Sequence, residues 1–108
     1  MFSDAGPRLW SGKPLGYRAS VVLPIDGSTD CVVLCDPDEQ RIGRFRNLVR
    51  LRANGSIAWQ ADLPPTYGDD AYVAVRSPAA QLVANTWSGY RVDIDLDSGR
   101  ILSTIFTK

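Results

Sequence analysis

The chain has 108 residues, the size of one ordinary domain, and its 44% hydrophobic and 22% charged residues are the proportions of a globular chain with its own core. Twelve basic residues balance twelve acidic ones, which leaves no overall electrostatic footprint for nucleic acid or anionic lipid. There is no histidine, which removes the commonest general base, the Ser-His-Asp and Cys-His arrangements and most zinc sites.

Residues 1–16 are expected to form an irregular arm. Gly6, Pro7, Gly12, Pro14 and Gly16 forbid regular structure there, and Phe2 and Trp10 are apolar enough to pin the arm to the body. The segment lacks a basic start followed by an apolar stretch, so it does not read as a signal peptide. No apolar run approaches the roughly 18 residues that a membrane helix needs.

From residue 17 onward, helical periodicity is nearly absent. Short runs rich in Val, Ile and Tyr are bounded by Gly, Pro, Asn and Asp, the pattern of an all-β domain. Strands are expected near 18–23, 31–35, 47–53 and 56–61, then near 71–76, 81–86, 90–96 and 100–106. Asp26-Gly27-Ser28 closes the first hairpin and Ser77-Pro78 ends the fifth strand. Asn54-Gly55 is expected as a two-residue hairpin loop, which would set Arg50 opposite Trp59 as a cation–π pair. Asp97-Ser98-Gly99 is expected as a type I turn with Gly99 in the left-handed position. The segment 63–70, LPPTYGDD, joins the two halves.

Those halves repeat. Val49 aligns with Val92 and Leu51 with Ile94, while Gly55 aligns with Gly99 and Ile57 with Ile101. Four strands per unit at a period in the forties is the pattern of propeller blades. The expected fold is all-β: two four-stranded antiparallel meanders, 17–62 and 71–108, packed as a sandwich or a partial propeller. The runs at 21–23 and 31–35 are apolar on both faces, so they need cover on two sides. The strand at 90–96 alternates between Val92, Ile94 and Leu96 on one face and Arg91, Asp93 and Asp95 on the other.

The segments NLVRLRANGSIAWQ and YRVDIDLDSGRIL resemble the outer hairpin of quinoprotein-like propeller repeats. Those repeats read as an aliphatic strand, a D/N-x-x-G turn, an aliphatic residue and a tryptophan. Trp59 matches the tryptophan, and Ser103 stands at the corresponding place in the second copy. The resemblance implies blade-like units; it carries over no quinone site, and no cofactor is expected.

Several clusters can carry chemistry. Cys31 and Cys35 share one face of a strand roughly 13 Å apart, too far for a disulfide, and read as reduced core residues of a cytoplasmic protein. Asp93, Asp95 and Asp97 imitate a calcium loop, but Ser98 and Thr104 stand where an EF-hand needs Gly and Glu; they read as the wet face of a hairpin. Asp36, Asp38, Glu39, Asp69 and Asp70 form two acidic loops that suit solvation or, at a fixed spacing, acid–base work on glycosides. Arg41, Arg44, Arg46, Arg50 and Arg52 lie around Phe45 and can hold a phosphate, an acidic partner or single-stranded nucleic acid, or form a solvated insert balanced by Asp36, Asp38 and Glu39. Trp87, Tyr90 and Arg91 beside a Ser-Gly turn can stack on a sugar or anchor a protein. The candidate binding residues are therefore Trp87, Tyr90, Arg91, Arg44 and Arg46.

These features point to a non-enzymatic binding module whose partner is a protein, including a second copy of itself as a homodimer. A sugar-binding module built from two-blade chains is the first alternative. A carboxylate-based hydrolase is the second.

Overall fold

The Val- and Ile-rich runs form nine strands among the residues that the computed structural model describes: 16–39, 43–65, 68–77 and 81–107. Residues 1–15 of the expected arm lie outside this set, as do Arg41 and Pro78. Eight strands fall where the alternation and turn residues place them: β1 (Ala19–Pro24), β2 (Cys31–Cys35), β4 (Leu48–Leu51), β5 (Ile57–Gln60), β6 (Asp70–Arg76), β7 (Gln81–Thr86), β8 (Tyr90–Asp95) and β9 (Ile101–Phe106). They make two antiparallel meanders, β1-β2-β4-β5 and β6-β7-β8-β9. The ninth strand, β3 (Arg44–Phe45), is too short to leave a periodic trace in the sequence. It runs parallel to β6, pairing Arg44 with Asp70 and Phe45 with Ala71. The chain thus touches the second sheet before returning to the first.

The inner faces share one core. Val32 and Leu34 of β2, Leu48 of β4 and Trp59 of β5 pack with Tyr72, Leu82, Ala84, Val92 and Ile94 of the second sheet. Alternation along β8 is as expected, with Val92 and Ile94 buried between half-buried Arg91, Asp93 and Asp95. The outer face of the first sheet carries a second buried cluster of Cys31, Val33, Val49 and Leu51. These four side chains are already out of water within one chain. Among the described residues, the exposed large apolar side chains are Ile57, Val73 and Trp87, with Leu102, Ile105 and Phe106 along β9.

Asn47 and Trp59 are among the side chains that tie the sheets together. Asn47, fully buried at the crossing from β3 to β4, donates through Nδ2 to the carbonyls of Cys35 (2.9 Å) and Tyr72 (2.7 Å). Its Oδ1 accepts the Tyr72 N–H at 2.8 Å. One amide thereby serves buried backbone groups of both sheets. Trp59 crosses the core and donates Nε1–H to the Leu96 carbonyl at 2.8 Å. Gly99, at φ +76°, lies flat against its ring, and a Cβ there would come within 2.5 Å of Trp59 Cδ2.

Both long hairpins differ in detail from their expected turns. Gly55 N–H donates to the Arg52 carbonyl at 2.9 Å and Gly55 has φ +88°, so the loop holds Ala53, Asn54 and Gly55. The three-residue form arises because the Asn54 carboxamide accepts from Ser56 N–H and Oγ–H. A bulge between Arg50 and Leu51 then sets Arg50 opposite Trp59 in the register, as expected, while its guanidinium turns to Asp30 and the Leu96 carbonyl instead of the indole face. The second loop begins one residue early, at Leu96, because Gly99 N–H reaches back to the Asp95 carbonyl at 2.8 Å.

Candidate functional site

The β3–β6 pairing does more than lengthen a sheet. It draws two acidic loops, far apart in sequence, to the same end of the molecule. Asp36 organises the first loop: its carboxylate accepts Asp38 N–H at 3.0 Å and pairs with Arg18 at 3.2 Å. In the second, Asp69 Oδ1 accepts Gly43 N–H at 2.8 Å, and Asp70 N–H donates to the Gly43 carbonyl at 3.2 Å. Gly43, at φ +89°, takes a backbone conformation that suits glycine and lets the two loops meet.

Between them opens a cleft of about 380 Å³, lined by Pro37, Asp38, Gly43, Asp69, Asp70, Ala71, Val73 and Trp87. Trp87 stands at one side with 67% of its surface exposed. Its backbone is nonetheless fixed. Trp87 N–H donates to the Ala71 carbonyl at 2.9 Å, and Gly89 N–H closes the turn on the Thr86 carbonyl at 3.1 Å. Beneath the turn, buried Asp70 accepts from Ser88 N–H (3.1 Å) and Ser88 Oγ–H (2.7 Å). Thr86 Oγ1 lies 2.9 Å from Ser88 Oγ and accepts Tyr90 N–H at 3.0 Å. A large apolar ring in water is held on a rigid mount, opposite carboxylates that only accept hydrogen bonds.

The other candidate residues lie elsewhere and have structural partners. Tyr90 packs against the shared core and its ring meets Phe106 at 5.1 Å. Arg91 pairs with Asp93 at 3.1 Å on the outer face of the second sheet. Ser103 also donates to Asp93 there (2.8 Å); this hydrogen bond, with Arg91 beside it, holds the Asp93 carboxyl below its ordinary pKa. Arg44 donates to the Pro64 carbonyl at 2.5 Å and to that of Gly68 at 3.5 Å, fastening the joining segment. Arg46 binds the carbonyls of Gln60 (2.8 Å) and Ala61 (3.3 Å) and pairs with Asp62. Arg50 pairs with Asp30 at 2.9 Å and donates to the same Leu96 carbonyl that Trp59 uses. Arg52 donates to the Ile57 carbonyl at 3.1 Å. The described arginines of this segment therefore fasten loops and edges instead of converging on one anion.

Of the sequence candidates, the structure brings Trp87 together with Asp38, Asp69 and Asp70. The role of Ser88 and Thr86 in mounting Trp87 went unread. Its trace is the Thr86-Trp87-Ser88-Gly89 order, two hydroxyls flanking the residue that they position. Among the described residues, no group of three or more His, Cys, Asp or Glu is placed to hold a metal ion, and no helix is long and apolar enough to cross a membrane.

The chain belongs to a family described as a domain of unknown function (DUF7957), whose family model matches residues 13–106. No curated protein and no solved structure matches it.

Proposed function

We propose that this domain is a small non-enzymatic all-β binding module that takes its ligand in the cleft beside Trp87, and that it associates with its own copy. The observation that carries the first part is the exposed Trp87 ring on its rigid mount, facing the two acidic loops. Such a site suits a ligand with a flat C–H face and several hydrogen-bond donors. A sugar ring supplies both: it stacks on the indole while its hydroxyls donate to Asp38 and Asp69. Anionic ligands are disfavoured by the same carboxylates.

The two meanders support the reading of blade-like units akin to quinoprotein-like propeller repeats, with matching hairpins at 48–60 and 90–106. Two buried cysteines support a reducing, cytoplasmic setting. A carboxylate-based hydrolase needs two carboxyl groups facing one bond. Asp70 is occupied with Ser88 and Ala71, so binding is the better reading of this cleft.

A glycan array probed with the native protein and with Trp87→Ala tests the proposal. The expected result is a restricted set of bound glycans, all lost in the variant, with an unchanged melting temperature because Trp87 is exposed. Equal binding by the variant, or no glycan bound by the native protein, would overturn the sugar reading.

A further inference from the structure

The last strand of the second sheet is built unlike the other edges. Along β9, Leu102 is 57% exposed, Ile105 52% and Phe106 57%. Its sequence, ILSTIF, holds no charge, proline or glycine. Edge strands normally carry such residues because unpaired backbone groups invite another strand. The corresponding edge of the first sheet is closed. Arg46 occupies the Gln60 carbonyl, Arg52 that of Ile57, and the Gln60 side chain returns to the Arg46 carbonyl at 2.8 Å.

The register of β9 says which of its groups face outward. Val92 pairs with Thr104 and Tyr90 with Phe106, and Thr107 N–H donates to the Gly89 carbonyl at 2.8 Å. Antiparallel alternation then turns the N–H and C=O of Ser103 and Ile105 toward β8. Those of Thr104 and Phe106 point away, and among the described residues no strand lies beyond β9.

We propose that a second copy of this chain pairs with this edge, β9 against β9, across a two-fold axis through Thr104. The proposal rests on the self-association named above and gives it a surface; it is independent of the cleft. A two-fold axis makes identical strands antiparallel and requires outward-facing residues to meet each other. Centring on Thr104 meets that requirement. It sets Thr104 opposite its own counterpart, Leu102 opposite Phe106 and Ser103 opposite Ile105. Exposed apolar side chains thus find apolar or small neighbours, the axis carries two hydroxyls, and no charge is buried. The open N–H and C=O of Thr104 on each copy find partners in the other copy's Thr104 in the same step, while Leu102 sits at the bulge of β9.

Light scattering and sedimentation of four samples test this: the native protein, Thr104→Lys, Thr104→Glu, and an equimolar mixture of the two variants. Position 104 is exposed, so each variant should melt near the native temperature. The native protein is expected at the mass of two chains at micromolar concentration. Each variant alone places like charges face to face and is expected at the mass of one chain, its dissociation constant raised at least tenfold. The mixture restores the two-chain mass, because Lys then meets Glu. A native protein at one-chain mass would sink both self-association and this surface. A native dimer left intact in both variants, or a mixture no tighter than its parents, would keep self-association but overturn β9 as its site.

Discussion

Single residues join the two halves of this molecule, and they do so through backbone groups. Asn47 is the clearest case, since its amide serves Cys35 and Tyr72 from opposite sheets. Asn47→Ala removes three hydrogen bonds to buried backbone groups, at about 1–3 kcal/mol each before relaxation. A loss of about 3–5 kcal/mol in urea unfolding is expected. Asn47→Asp should be no better, because a carboxylate cannot donate to two carbonyls; a stability within about 1 kcal/mol of native for either variant would show that the clamp is dispensable. Gly99 makes the second junction. Gly99→Ala forces a side chain into the left-handed region and into the Trp59 ring, for a combined cost of about 2–5 kcal/mol. Ser98→Ala, one residue away, loses only exposed hydrogen bonds to Asp95 and Arg100 and should cost about 1 kcal/mol or less. Equal melting temperatures for these two variants would contradict the contact.

The cysteines add a pH signature at the same scale. Burial pushes the Cys35 thiol from 9.0 to about 11. Above pH 9 the unfolded chain loses this proton while the folded chain keeps it, so the unfolded state binds fewer protons and stability falls with rising pH. The loss begins near pH 9, runs at up to about 1.4 kcal/mol per pH unit and levels off near 11. Burial also raises Tyr72, which extends the decline further into alkali. Denaturant midpoints from pH 7 to 11 check this. Cys35→Ala should flatten the first part of the curve, and an unchanged slope in that variant would assign the effect to other groups.

At the scale of elements, period-two alternation and turn residues were sufficient to locate eight strands, because each is a local pattern. CVVLC reads as doubly covered and is buried at every position. What the chain hid is whatever depends on contacts between distant segments. β3 has two residues and no periodicity, yet its parallel pairing with β6 builds the cleft. The arginines at 41–52 look like an anion site because five like charges fall close together in sequence. In space, each described one bends to a nearby carbonyl or carboxylate, and long flexible side chains leave no sequence sign of that choice. Trp87 was legible as a candidate from its flanking turn. Its acidic neighbours were legible as loops, but their meeting depends on β3. Tyr90 was misleading for the opposite reason: it sits at an inward position of β8, and its ring covers the core edge against Phe106.

The whole molecule presents two separate surfaces, an acidic cleft with an exposed tryptophan and an open strand edge. Neither is needed to complete the shared core, which makes both available for recognition. In the function proposed above, the cleft binds a sugar through Trp87. The most direct measurement is a two-dimensional ¹⁵N–¹H NMR titration of the native protein with a glycan from the array, following the indole N–H signals assigned by single tryptophan substitutions. The Trp87 indole signal and the backbone amides of Gly43, Asp69 and Ser88 are expected to shift together with one saturating curve. Trp59, whose indole N–H is held by the Leu96 carbonyl, should stay in place. Saturating shifts confined to other surfaces, with the Trp87 and Asp69 signals unmoved, would contradict the account.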